Sequence, residues 1–375
     1  MKITHIVSSL DTRQGGPPNV VLNLANSQKK IGHNVNIVSQ FKNLKYNNFK
    51  NLSYNNLIKG TFLFEKHYIP NFDFIKKIYK EIKDSEIIHI HGVWNGVVSI
   101  SLLISRFLKK KVILTPHGSL DSYNIKNKYI LKKIYFYLIE KSNLKFVNGF
   151  HFLNPNEYKN SRWINILKKK KILIQSNGID QKFISRVKFK KKQNSSKKIN
   201  IVYLGRLNKI KNINLQINLI NYLKEKNKAY YLNIYGPNDG ELNKIKKKIN
   251  NLKLNKRIFL RKPVYGIKKY SILKNADIVI LTSKYECNSV LAIEVMSVGG
   301  LLLCTKNCNL SHPAKYGAVK VSNYKLQNLV KSLDYLTISK NSKMIRENAL
   351  KYAKKNLDIE INIKNILKFY KEIIK

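Results

Sequence analysis

Residues 278–281 (IVIL) form an unbroken apolar, largely β-branched run, the pattern of a strand covered on both faces of a parallel sheet. A polar turn follows at 282–287, and residues 289–298 are apolar almost all round, as in a buried helix. This alternation recurs along most of the chain. Strands are expected at 2–7, 35–39, 87–90, 112–115, 149–153 and 171–174, with helices at 19–30, 74–83, 96–109, 126–141 and from 156. A second series has strands at 199–204, 231–235, 258–260, 278–281, 301–304 and 318–321, with helices at 212–226, 241–252, 266–274 and 289–298. From 325 onward the pattern is helical, with amphipathic stretches at 342–356 and 358–374. Residues 41–80, rich in Asn, Lys, Tyr and Phe, are the least readable part.

Between the two series, Asn177-Gly178-Ile179-Asp180 and a basic, Gln/Asn/Ser-bearing segment interrupt the apolar rhythm. The expected organisation is an N-terminal domain over 1–179, a linker over 180–198 and a C-terminal domain with a helical tail over 199–375. Each domain is expected to be a doubly wound α/β sheet, and a cleft between two such domains is the natural ligand site.

Composition adds boundaries. The chain has 375 residues, 43% hydrophobic and 25% charged, which suits two folded domains. It contains no run of 18 apolar residues, and its first residues (MKITHIVSSL) form a short β-like run without a signal-peptide core, so a cytoplasmic location is expected. Cys287, Cys304 and Cys308 lack the spacing of a zinc site, and no Asp-x-Asp pair is present, so no bound metal is expected. The formal net charge of +50 would attract nucleic acid, anionic membranes or anionic substrates, although Lys accompanied by abundant Asn, Ile and Tyr also fits the bias of an AT-rich genome. The basic runs 168–171 and 188–192 contain no Gly and one aromatic, Phe189, unlike an RNA-reading module. The charge therefore points to an anionic leaflet, with the protein peripheral at the inner membrane face and nucleic acid not a partner.

The strand ends carry the candidate chemistry. A strand–loop–helix unit puts its loop and helix N-terminus at the carboxyl edge of the sheet, where open α/β sheets bind ligands. Backbone N–H groups around Cys287, Ser289 and Val290 would suit a diphosphate. Glu286 in the turn and Glu294 in the helix could accept hydrogen bonds from sugar hydroxyls. The competing reading makes them ordinary residues, one exposed and one paired with a lysine; an unpaired charge in so apolar a helix would be costly. Arg206 and Lys211 lie just past a strand end, placed to offset charge on a departing diphosphate. Gly15-Gly16 at a strand–helix junction permits close backbone approach to a ligand, without the G-x-G-x-x-G dinucleotide fingerprint. Two strands end in histidine–glycine turns, His91-Gly92 and His117-Gly118, and His117, between Pro116 and Gly118, is the better placed to meet a ligand.

Together these residues resemble family 4 glycosyltransferases of the GT-B fold. Glu286 and Glu294 form E-x7-E, followed by Met296 and Gly299; Gly205-Arg206-Leu207 with Lys211 resembles the family's GRL-x3-K element. Asn177-Gly178-Ile179-Asp180 is similar to its NGVD hinge and Gly15-Gly16-Pro17 to its glycine loop. Pro116-His117-Gly118-Ser119-Leu120-Asp121 resembles the PHG-x-L-D turn of bacterial members that build surface polysaccharides. The resemblance implies two Rossmann-like domains facing across a cleft, with the last helix (358–374) crossing back to the N-terminal domain. It implies a metal-independent, retaining transfer from a UDP- or GDP-sugar to a glycan or lipid-linked saccharide, without a cofactor. It further implies that Gly15 and Gly16 approach the donor phosphate or the acceptor, and that His117 contacts the donor sugar. Arg206 and Lys211 would bind the diphosphate, the Ser289–Val290 turn would face it, Glu286 would hold sugar hydroxyls and Glu294 the ribose. Asn212, Cys287 and Ser289 stand where the family often has Gly, Leu301 and Ser176 where it has Pro, and Lys262 where it has Gly, which bears on donor identity. The alternatives are a nucleotide-sugar epimerase of the same shape, a non-catalytic partner of a biosynthetic complex, and a nucleic-acid-binding protein whose affinity would fall steeply with salt.

Overall fold

The computed structural model describes residues 1–11, 16–40, 57–64, 68–126, 128–186 and 198–375. The chain divides into two compact units, Met1–Asn177 with Ile359–Lys375, and Gly178–Asp358. The first therefore includes a C-terminal segment that the alternation alone assigns to 199–375, and much of the expected linker lies outside the described residues.

In the first unit the strands are β1 (Lys2–Ser9), β2 (Asn34–Gln40), β3 (Leu57–Gly60), β4 (Phe62–Phe64), β5 (Ile69–Pro70), β6 (Ile87–His91), β7 (Val112–Thr115), β8 (Gly149–Phe152) and β9 (Lys171–Ile174). Among the described residues seven of them form a parallel sheet in the order β3-β2-β1-β6-β7-β8-β9. The order reverses between β1 and β6, creating a crevice at the carboxyl edge. The apolar face of β1, with Ile3 and Val7, is covered by helix Gly16–Lys30 and by the final helix Ile359–Ile374. That last helix returns to this sheet because Ile363, Ile366, Phe369, Tyr370 and Ile373 make one buried stripe at helical spacing. Gly149 of β8 accommodates it: a Cβ there would stand 2.7 Å from Phe369 and 2.8 Å from Ile373.

The helix expected at 126–141 is replaced by shorter pieces, Ser122–Lys126, Tyr129–Tyr135, a π-turn at Phe136–Glu140 and Lys141–Phe146. A π-turn brings residues five apart onto one face. Tyr135 and Glu140 thereby both reach the Ser99 hydroxyl, at 2.8 and 2.6 Å, while Phe136 stacks on Trp163 at 3.7 Å.

The second unit holds β10 (Ile199–Leu204), β11 (Tyr230–Tyr235), β12 (Ile258–Arg261), β13 (Ile278–Leu281), β14 (Leu302–Thr305) and β15 (Lys320–Ser322). They form a parallel sheet in the order β12-β11-β10-β13-β14-β15, again reversing after its first strand, between β10 and β13. Every residue of β13 is buried, as its apolar run predicts. Helix Val290–Ser297 after β13 is buried from Leu291 to Ser297. It ends at Gly299, in the left-handed region with φ +64°, as a helix C-terminus favours.

The contribution of the returning helix can be measured. Phe369→Ala should cost the first unit about 3 kcal/mol, a large-to-small core change, read as a lower denaturation midpoint. An unchanged midpoint would mean that the helix is not needed for that core.

Candidate active site

In the second unit the expected residues gather at the carboxyl edge beside the switch point. Gly205-Arg206 leaves β10, and the turn is made possible by a neighbouring strand end: a Cβ on Gly236 would lie 1.8 Å from the Gly205 carbonyl oxygen. Arg206 pairs with Asp239 beyond β11 (Nη1 to Oδ2, 2.9 Å), and Asn208 donates to the same carboxylate. Lys211 pairs with Glu286 beyond β13 at 2.5 Å, and both side chains are largely buried, 19% and 11% exposed. Ser283 also donates to Glu286 Oε1. Tyr203 joins the two ion pairs: its hydroxyl donates to the Arg206 carbonyl, and burial, followed by the Glu286 charge, holds its pKa well above the usual tyrosine range.

The turn carrying Glu286 is held on all sides. Lys284 N donates to Ile210 O, Glu286 N to Asn307 O, Asn309 Nδ2 to Glu286 O and Tyr324 to Ser283 O. Asn212, where the resemblance expects Gly, is left-handed with φ +52°, a conformation Asn tolerates better than most residues. Cys308 lies under the turn, its thiol pushed up to about 12 by burial, with Glu286 adding to the shift. Cys304 and Cys308 are buried, as small apolar residues would be, whereas Cys287 is half-buried.

Ser289 caps helix Val290–Ser297, accepting from Ala292 N at 3.3 Å, and Val290 is its first residue. Glu294 is separated from this turn by about 7 Å along the helix axis. It is buried and ion-paired with Lys269 of helix Gly266–Asn275, the lysine partner that the competing reading required. Burial raises the Glu294 pKa, and Lys269 opposes the rise. The structure thus brings Arg206, Lys211 and Glu286 together and sets Glu294 in a second ion pair. Asp239 and Ser283, just past strand ends, and Lys269, on helix Gly266–Asn275, were missed from the sequence, because a single polar residue carries no periodic signal that marks its partner.

In the first unit, Gly16 begins helix Gly16–Lys30 beyond β1, while Gly15 lies outside the described residues. The two histidine turns do meet: His91 Nδ1 lies 3.1 Å from His117 Nε2. His117 is half-buried and left-handed at φ +52°, followed by Gly118 at φ +77°. A non-glycine residue held there is costly and marks an over-determined turn. Buried Glu157, also unanticipated, supplies the restraint by accepting from Gly118 N at 2.6 Å and Leu153 N at 2.7 Å. One ring nitrogen from each of His5, His89 and His91 lies within 4.8 Å of the other two, a spacing that could hold a metal ion.

Two family matches tile this chain. Residues 14–183 match Glycosyltransferase Family 4, and residues 185–356 match Glycosyl transferases group 1. The chain belongs to glycosyltransferase family 4. This glycosyltransferase also shares its fold with solved structures along nearly its whole length. A glycosyltransferase from Rickettsia africae superposes with TM-score 0.78 at 19% identity, covering 100% of this chain and 98% of the other. HepE from Anabaena, solved with UDP, gives 0.74 at 13% identity with 99% and 100% covered. Sucrose-phosphate synthase from Thermosynechococcus elongatus gives 0.74 at 14% identity with 100% and 99% covered. These neighbours establish the GT-B fold of the glycosyltransferase. No curated protein sequence matches it.

The buried histidines of the first unit should make its stability fall in acid. Burial lowers His5 and His151 to about 4, below the free value of 6.5. Because these folded values are depressed, the stability the neutral rings confer is fully present above about pH 6.5. It is lost as pH falls through about 4. Denaturation across that window should show stability declining, with His151→Asn declining less than the wild type. Equal slopes would contradict the burial.

Proposed function

We propose that this glycosyltransferase moves a sugar from a nucleotide-diphosphate donor to a glycan or lipid-linked saccharide, with retention at the anomeric carbon and without a bound metal. The observation that carries this reading is the gathering of Arg206, Lys211 and Glu286 beside a serine-capped helix N-terminus at the switch point of the second sheet. Anions are favoured there by the helix dipole and by the backbone N–H groups that face the N-terminus. Arg206 spends Nη1 on Asp239 and has further guanidinium donors to offer.

In this reading the diphosphate lies against Arg206, Lys211 and the Ser289–Val290 turn, with Glu286 on sugar hydroxyls, Glu294 on the ribose and His117 beside the donor sugar. Gly15 and Gly16 allow the first-unit loop to approach the donor phosphate or the acceptor. The bond from the anomeric carbon to the diphosphate oxygen breaks while the acceptor oxygen bonds to that carbon on the same face. The acceptor proton passes to the departing phosphate, and the two cations stabilise the negative charge it carries away. HepE, which binds UDP-glucose in one of its structures, supports a UDP-sugar as the first donor to test, with a GDP-sugar next.

Thermal melting with UDP-, GDP- and ADP-sugars tests the donor site. One nucleotide class should raise the melting temperature of the wild type, about 2.7 kcal/mol of stabilisation at a hundredfold excess over Kd, and Glu294→Ala should abolish the rise. A folded wild type that responds to none of them would sink the proposal. The anomeric configuration of the product, read from its NMR coupling, would separate retention from inversion.

We also propose that the acceptor is met at the inner face of the membrane, consistent with a role in surface polysaccharide synthesis. Across residues 129–140, Ile130, Leu131, Ile134, Tyr137 and Leu138 are between 53% and 76% exposed. Lys126, Lys128, Lys133 and Lys145 are exposed nearby. Apolar side chains ringed by lysines suit shallow insertion into an anionic leaflet. Among the described residues no helix is long and apolar enough to cross a membrane. Co-sedimentation with phosphatidylglycerol-containing vesicles should fall at least several-fold for Leu138→Glu combined with Ile134→Glu; an unchanged bound fraction would remove this surface from the account.

A further inference from the structure

Among the described residues the buried histidines, His5, His89, His91 and His151, all lie in the first unit, and their hydrogen bonds join with half-buried His117 into one line. His151 Nε2 faces the Gln175 carbonyl at 2.9 Å and its Nδ1 faces Thr115 Oγ1 at 3.1 Å. Thr115 Oγ1 also meets His89 Nε2 at 2.7 Å, and His89 Nδ1 meets the Tyr370 hydroxyl at 2.6 Å. Gln28 links Tyr370 to His5: its Nε2 donates to the Tyr370 oxygen at 3.3 Å, and its Oε1 faces His5 Nε2 at 2.7 Å. His5 Nδ1 then meets His91 Nε2 at 3.0 Å, and His91 Nδ1 meets His117 Nε2.

One end determines the direction of every bond. A backbone carbonyl can only accept, so His151 carries its proton on Nε2 and its Nδ1 accepts. Thr115 must then donate to His151, which obliges His89 to donate to Thr115 from Nε2. His89 Nδ1 accepts from the Tyr370 hydroxyl, whose oxygen accepts from the Gln28 amide. The Gln28 carbonyl oxygen is thereby turned to His5, which donates from Nε2. His5 Nδ1 accepts from His91 Nε2, and His91 Nδ1 accepts from His117 Nε2. His5, His89, His91 and His151 satisfy this order only as neutral rings, because each both donates and accepts; His117 only donates, and desolvation, with His151 nearby, keeps its pKa below the ordinary value as burial does for the other four.

We propose that this line is a tautomer lock, which holds His117 with its proton on Nε2 and its lone pair on Nδ1, so that His117 meets a donor-sugar hydroxyl as a hydrogen-bond acceptor. The ligand contact rests on the reading of His117 given above; the tautomer does not. Among the described residues, His117 Nδ1 has no hydrogen-bond partner, and it is the one ring nitrogen of the five histidines left to a ligand. Gln28, His5 and His91 are in this account positioning residues, acting on the ligand through His117. A metal at His5, His89 and His91 would compete with the lock, since all six of those ring nitrogens are already engaged as donors or acceptors.

The test is a long-range proton–nitrogen NMR correlation on full-length protein labelled with nitrogen-15 at histidine, near pH 7. Expected are five neutral rings protonated on Nε2, including His117, with metal content below stoichiometric. His117 protonated on Nδ1, charged, or in a tautomer mixture would overturn the proposal, as would one equivalent of metal bound at His5, His89 and His91. Gln28→Met removes the acceptor that orients His5, so His117 should become a mixture and kcat/KM should fall about five-fold, the worth of one neutral hydrogen bond. An unchanged His117 spectrum in that variant would refute the relay, and the wild-type spectrum decides the tautomer if the variant does not fold. Adding UDP-glucose or GDP-mannose should move the His117 Nδ1 resonance, whereas UDP or GDP alone should not. If a nucleotide sugar binds and that resonance stays in place, the ligand contact is wrong. If neither binds, the donor reading fails while the ligand-free spectrum still judges the lock.

Discussion

Both units depend on the parallel ladder. Parallel neighbours cannot be joined by a tight turn, so each strand is followed by a crossover that returns the chain to the same starting edge, with one handedness. Every strand then delivers its carboxyl end to the opposite edge, and reversal of strand order opens a crevice there. Arg206, Lys211, Asp239 and Glu286 come from strand ends far apart in sequence yet share one edge for this reason. The same rule places His91 and His117, on successive loops, within hydrogen-bond reach.

The two units keep polar groups beneath that edge by different means. In the second, charge is retained and paired: Lys211 with Glu286, and Lys269 with Glu294. Partly buried pairs gain from the lower dielectric only where further hydrogen bonds complete them, as Ser283 does for Glu286. In the first unit the imidazoles are neutral and satisfied by one another, by Thr115, Tyr370 and Gln28, and finally by a backbone carbonyl. A neutral chain avoids the desolvation cost of buried charge and gives direction to every bond in it. Tyr370 comes from the last helix, so the C-terminus of the chain completes a network that begins in its first strand.

Much of this was readable in advance. The strands of both sheets, apart from β3 to β5, stand within a residue or two of the runs expected from hydrophobic pattern, because a strand covered on both faces must be apolar throughout. The short β3, β4 and β5 were missed: they carry exposed residues such as Leu63 and Phe64 and lie in the stretch richest in Asn and Lys. The helix expected over 126–141 was broken by tertiary contacts, since Ser99, Glu140 and Trp163 decide where its turns widen. Glu286 and Lys211 were legible as candidates from strand-end position, but their partnership was not. Asp239, in a loop, and Lys269 and Glu157, on helices, left no trace, because a carboxylate or a lysine looks alike in sequence whether it is solvated or buried.

By itself the sequence determined the elements, their alternation and the family, since periodicity and strand-end motifs are local properties that survive without knowledge of the fold. Only the tertiary structure decided which charges are paired and that five histidines form a directed chain, while it bore out the return of the last helix to the first sheet that the family resemblance implied. Those outcomes depend on contacts between residues as far apart as Gln28 and Tyr370, and on burial, which turns an ordinary side chain into one that must find a partner.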